Sequence, residues 1–185
     1  MKWNKNKSLV AASIVIGLIS GTLRPLFLAD YAQDDLTLSL YRFVTAFDIQ
    51  NIGFAALFES FARYSRILLL IWACAALPKA HYVALLVLYM RAMALTFSAV
   101  MMVTAFGGRG LAYALALYGL QNTVIMPIYA YTVYFIIENR LELAVRSPEN
   151  LIPTIRTAAV GLAAVLAASA IETYIVPTLF ALIWR

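Results

Sequence analysis

The side chains best placed to do chemistry in this chain are a few strongly polar ones set inside long apolar runs: Arg91, Gln121, Asn122 and Glu172. A charge at mid-bilayer costs about 2.5–3.5 kcal/mol on insertion scales, so such residues pair with one another or serve a function. The natural partner for Arg91 is Glu172, because a planar guanidinium can meet a carboxylate through two parallel hydrogen bonds. Gln121 and Asn122 supply both donors and acceptors to complete such a cluster. Three uses stay open for it: a polar lock that fixes helix register, a conduction or substrate pathway, and a groove for a partner.

Other chemistries have little to work with. His81, the only histidine, stands beside a loop lysine with no Ser/Asp pair at recognisable spacing. Cys74, the only cysteine, lies in an apolar run, so it can form no internal disulfide and has no metal-ligand partner at useful spacing. No H-E-x-x-H, phosphate loop or paired carboxylate site is present. Glu138 and Glu142, four residues apart, read as the solvated face of a helix end. The expectation is a protein that is not an enzyme, with no cofactor and no metal.

The elements that must position the cluster follow from composition. The chain is 64% apolar and 12% charged, with mean hydropathy +0.85. A soluble domain is about a quarter charged, so the expected class is an all-α membrane protein. We expect one integral membrane domain over residues 1–185, with about five transmembrane helices and one external juxtamembrane amphipathic helix. The expected spans are 9–28, 61–77, 82–106, 111–137 and 155–184, with an external segment over 29–66.

The first run follows Lys2, Lys5 and Lys7 like a signal peptide, but it is long enough to span and no clear cleavage site follows, so it reads as an uncleaved helix. Ser13, Gly17 and Gly21 recur every four residues along it, a small-residue stripe for close helix packing inside the bundle or in a homo-oligomer. The external segment begins acidic, with Asp30, Asp34 and Asp35. From Asn51, the residues Phe54, Leu57, Phe58 and Phe61 keep helical spacing, with Glu59, Ser60 and Arg63 on other faces. That pattern predicts an amphipathic helix on the membrane surface running into the second span. It either caps the bundle or, through Phe54, Leu57, Phe58, Phe61 and Arg63, docks a partner.

The second span is short, because Ile67–Leu77 makes roughly 16 Å of helix against a hydrocarbon core of about 30 Å. It must borrow from the Phe61–Arg66 turn or continue past Pro78; the turn Pro78-Lys79-Ala80-His81 favours the first and puts Arg91 near the middle of span three. Gly107-Gly108-Arg109-Gly110 connects tightly to span four, which Gln121, Asn122 and Pro127 interrupt. Span five is rich in Ala and Gly from Ala158 to Ala168 and carries Glu172 and Pro177, which predicts a helix at the bundle centre. Lysine and arginine placement favours a cytoplasmic N-terminus, with Lys2, Lys5, Lys7, Lys79, Arg140, Arg146 and Arg156 inside. The net charge of +5 is scattered among loops without interleaved aromatics, so nucleic acid is not an expected partner; the lipid bilayer is.

The second half resembles the stage II sporulation protein M family of endospore-forming bacteria. Three stretches carry the resemblance: Ala76-Leu77-Pro78 followed by a helix with Arg91 ahead of Phe97; Gly107 and Gly110 leading to Gln121-Asn122 and Pro127; and Ser169-Ala170-Ile171-Glu172-Thr173-Tyr174 with Pro177. Leu120, Ala76 and Ala92 depart from the family pattern, which has proline at the first position and glycine at the other two. The resemblance implies a non-enzymatic anchor in the mother-cell membrane at the sporulation septum. Its implied partners are two cell-wall hydrolases, stage II sporulation proteins P and D, with which it remodels septal peptidoglycan during forespore engulfment. The alternative is a small transporter or permease-like subunit that uses the mid-membrane polar cluster.

Overall fold

The structure, a computed structural model, describes residues 5–45, 53–76, 81–139 and 151–184. The Pro78-Lys79-Ala80 turn, Lys2, Glu142, Arg140 and Arg146 lie outside the described residues. The described chain is helical throughout: α1 (Lys5–Leu23), α2 (Asp30–Thr45), α3 (Phe54–Ala73), α4 (His81–Phe106), α5 (Gly108–Ala114), α6 (Leu120–Glu138), α7 (Leu151–Ala170) and α8 (Val176–Trp184). Two single π-helical turns, Leu115–Gly119 and Ile171–Ile175, join α5 to α6 and α7 to α8 without ending either rod.

Four of these rods are long and apolar enough to cross a membrane: Lys5–Phe27, His81–Phe106, Gly108–Glu138 and Ile152–Ile183. Backbone polar groups have no water to bond inside a bilayer, so spanning helices satisfy them internally. The protein is an all-α membrane protein.

The helix directions follow from side-chain contacts. Ser13 lies against Leu85 and Gly17 against Tyr89 and Ala92, so α1 and α4 run parallel. Asn6 bonds Glu138 at 2.7 Å, which sets α6 antiparallel to α1. Tyr64 meets Tyr129 and Trp72 meets Phe135, so α3 runs with α6. Arg63 meets Glu172 and Leu68 meets Gly161, so α3 opposes α7 and α8. The chain therefore passes along the bundle five times, with α2 lying across the end where α4 stops. There Tyr41 donates to the Ala105 carbonyl at 3.0 Å and stacks on Phe106 at 4.5 Å.

Three sequence expectations change. The helix expected on the membrane surface runs into the second span as expected, in one rod, α3, whose 20 residues make about 30 Å of helix, but it does not lie on the surface. It lies within the bundle, burying Ser60, Tyr64, Leu68 and Ile71, and carries Glu59, Arg63 and Arg66 along its length. The segment 30–45 supplies the helix at the bundle end instead. The bundle centre belongs to α6, which packs on α1, α3, α4 and α7. Helix α7 buries one face (Thr157, Gly161, Val165, Ala168) and exposes Leu162, Ala163, Leu166 and Ala167. Its alanines are therefore divided between the packed face and the outside. Finally, Pro127 sits inside an unbroken α6; the interruptions are the π turns that precede Pro127 and Pro177.

The interior forms two apolar cores. One contains Tyr64, Leu68, Leu88, Ile125, Tyr129 and Val133, the other Val44, Met102, Tyr113, Leu117, Val176 and Phe180. A polar cavity separates them.

Candidate functional site

The two π turns shape that cavity. A π turn accepts one extra residue and shifts the i→i−4 ladder, which leaves carbonyls short of amide partners. Gln121 and Asn122, just past the first turn, donate their side-chain amides to the carbonyls of Leu117 and Tyr118, the latter at 2.6 Å. Their side-chain oxygens are thereby turned towards the space between helices. The second turn carries Glu172 and Thr173, and Pro177 two residues beyond it has no N–H to give back to the ladder.

The resulting cavity has a volume of about 450 Å³ and brings together all four polar residues singled out from sequence, Arg91, Gln121, Asn122 and Glu172. Ser60, Arg63, Tyr64, Tyr118 and Thr173 also line it. Arg91 comes from the middle of α4, and Phe43 of α2 covers the side nearest the bundle end.

The pairing within the cavity differs from the expected one. Glu172 binds Arg63, with Nη1 to Oε1 at 3.2 Å, and Arg91 makes no ion pair with it. Arg91 instead donates from Nη2 to Asn122 Oδ1 at 3.3 Å, and its guanidinium lies 5.6 Å from the centre of the Tyr64 ring. The reason is positional: α3 packs against α7 and the second π turn, so Arg63 reaches Glu172 first. The Arg63 side chain is 54% exposed and Glu172 20%, which puts Arg63 at the mouth of the cavity, with Glu172 and Arg91 both part-buried behind it.

Four buried polar atoms on the cavity wall have no partner: Arg91 Nε, Gln121 Oε1, Glu172 Oε2 and Thr173 Oγ1. Unsatisfied buried polar atoms are few in native proteins, and four among the residues of one wall make this the most polar part of the described interior.

The residues expected to dock a partner divide. Phe54 and Phe58 are exposed, at 79% and 64%, while Leu57 is half-buried and Phe61 packs against the first core. Arg63 belongs to the cavity. The small-residue stripe of α1 is used inside the bundle. A Cβ on Gly17 would stand 2.5 Å from the Tyr89 carbonyl oxygen, and one on Gly21 would overlap Thr96 and the Met93 carbonyl. Ser13 donates to the Leu85 carbonyl at 2.9 Å and Thr96 to that of Leu18 at 3.0 Å.

Sequence reasoning missed Tyr64 and the cavity roles of Arg63 and Thr173. The available signal was Ser60 and Tyr64, which are spaced by one helical turn and interrupt an apolar helix on the same face. Among the described residues no group of His, Cys, Asp and Glu could hold a metal ion.

Fold, hydropathy and site together define the class as a polytopic α-helical membrane protein with a polar cavity inside its bundle. No protein-family model, curated protein or solved structure matches the chain.

Proposed function

We propose that this chain is a non-enzymatic scaffold of the bacterial cell membrane that anchors and recruits peptidoglycan hydrolases at the sporulation septum during forespore engulfment. The reading starts from the resemblance to the stage II sporulation protein M family. One observation supports it most: stretches carrying that resemblance and lying far apart in sequence converge on one cavity, through Arg91, Gln121-Asn122 and Glu172-Thr173 with Pro177. Convergence is what a shared architecture requires, because residues far apart in sequence meet in one place only when their helices pack in the same arrangement. The departure Ala92 also has a physical counterpart, since Gly17 of α1 leaves room for its methyl group.

With Lys5, Lys7 and Arg156 at one end, the N-terminus is cytoplasmic in this reading. Helix α2 and the start of α3 then face outward, where wall hydrolases work. Tyr31, next to Asp30 in the first turn of α2, and Phe54 and Phe58 of α3 are the most exposed aromatics of these two helices. Aromatic side chains at a partly polar surface are common anchors of protein interfaces.

The test is recovery of the tagged protein from mild-detergent membranes of sporulating cells. Wall hydrolases of the stage II sporulation P and D type should accompany it, and the pair Phe54→Ser with Phe58→Ser should lose them while eluting as a folded protein. Recovery of the protein alone would overturn the scaffold.

A second reading, a permease-like subunit, is favoured by the unpartnered polar atoms of the cavity. It expects Glu172→Gln to abolish uptake in a reconstituted system with the protein still abundant in the membrane.

A further inference from the structure

The cavity lacks partners in a way that defines what would fill it. Its charged residues are Arg63, Arg91 and Glu172, and the carboxylate is already bound to Arg63. Arg91 is left as an uncompensated cation midway along a membrane-spanning helix, held only by a neutral amide oxygen and a tyrosine ring. Water can satisfy its buried Nε but cannot neutralise it, and an unneutralised charge at this depth is costly. The other orphaned atoms are of the opposite kind. Gln121 Oε1 and Glu172 Oε2 can only accept, and the Thr173 hydroxyl can do either.

The complement is therefore a molecule with one negative group for Arg91 and neutral donors beside it. A second cation in place of those donors would be repelled by both arginines. We propose that the cavity binds an anionic polyol, its phosphate or carboxylate on Arg91 and its hydroxyl groups on the polar wall formed by Gln121, Glu172 and Thr173. The volume, about 450 Å³, suits such a group, since ligand pockets run from about 300 to 1,000 Å³. The site requires only the cavity, so it stands whether the protein is a scaffold or a permease. Two sources share this chemistry: the phosphoglycerol headgroup of a membrane lipid and a free glycerol phosphate.

The purified full-length protein is incorporated into nanodiscs of equal phosphatidylglycerol and phosphatidylethanolamine content, released into detergent, and weighed by native mass spectrometry. Its thermal stability is measured in parallel with and without glycerol 3-phosphate. A lipid source gives phosphatidylglycerol retained about tenfold over phosphatidylethanolamine; a soluble source gives stabilisation by glycerol 3-phosphate without lipid preference. In either case Arg91→Gln should remove the effect by about tenfold, and Arg109→Gln, an exposed arginine outside the cavity, should not. Thr173→Val, nearly the same size, should weaken it several-fold and serves if Arg91→Gln fails to fold. Equal retention of the two lipids with no stabilisation by glycerol 3-phosphate overturns the proposal, as does an effect that survives both cavity substitutions.

Discussion

Helix α4 has two neighbours built on opposite terms. Towards α1 it meets a dry seam in which glycines bring two backbones together and short hydroxyls bond across to carbonyls. Towards α3, α6 and the second π turn it faces a cavity, where long side chains hold helices apart and leave polar atoms unmet. In lipid no hydrophobic force draws helices together, so close van der Waals packing and interhelical hydrogen bonds must do it. The seam meets that requirement by close packing and bonds together, the cavity only by the bonds of Arg91 to Asn122 and of Arg63 to Glu172. The difference teaches that close packing and an unfilled polar space can lie on different sides of one helix.

Substitutions can break this comparison, and the largest effect belongs to the seam. Gly21→Leu drives a side chain into the backbone of α4, which cannot give way as a flexible side chain would. It should cost more than the usual 1–3 kcal/mol of overpacking, roughly enough to abolish the folded monodisperse peak in detergent size-exclusion. A normal elution profile would show that α1 is not held against α4.

Next comes Glu172→Gln. Removing the carboxylate strands Arg63, but that guanidinium is about half exposed, so the loss is discounted from the several kcal/mol of a buried pair to about 1–2 kcal/mol. Unfolding of Glu172→Gln, Arg63→Gln and the double variant should show coupling between the two sites. Additive effects would remove the ion pair from the account.

Arg91→Leu sharpens the contrast, because it should go the other way. Replacing a part-buried charge that has no ion-pair partner by an apolar side chain should leave unfolding stability unchanged or raise it by about 1 kcal/mol. A clear drop would make Arg91 structural glue like the residues of the seam. The smallest effect is that of Ser13→Ala. Its single bond to the Leu85 carbonyl is worth about 0.6 kcal/mol, the average for interhelical bonds in a membrane protein, and thermal unfolding should register a small downward shift.

Much of this was legible in the residues. The apolar runs that form α1, α4, α5–α6 and α7–α8 are long and nearly free of charge, and the cost of exposing backbone in lipid leaves no alternative to helix. The close-packed stripe was visible as Ser13, Gly17 and Gly21, because small residues four apart lie on one helix face whatever the surroundings. Helix α3 was harder to read, since Glu59, Arg63 and Arg66 argue for water. Arg63 stays at the cavity mouth, where Glu172, more than a hundred residues on, pairs with it.

The sequence by itself determined the all-α membrane class, the depth of Arg91, Gln121, Asn122 and Glu172 in their helices, and the face that α1 uses. The tertiary structure alone decided which polar residue meets which. Depth along a helix follows from counting residues, but direction around it changes by about 100° with each residue inserted, and each π turn inserts one. The turns at Leu115–Gly119 and Ile171–Ile175 therefore re-aim Gln121, Asn122, Glu172 and Thr173 without altering their depth. That rotation, together with the packing of α3 against α7, gives Glu172 to Arg63 and leaves Arg91 facing an open cavity.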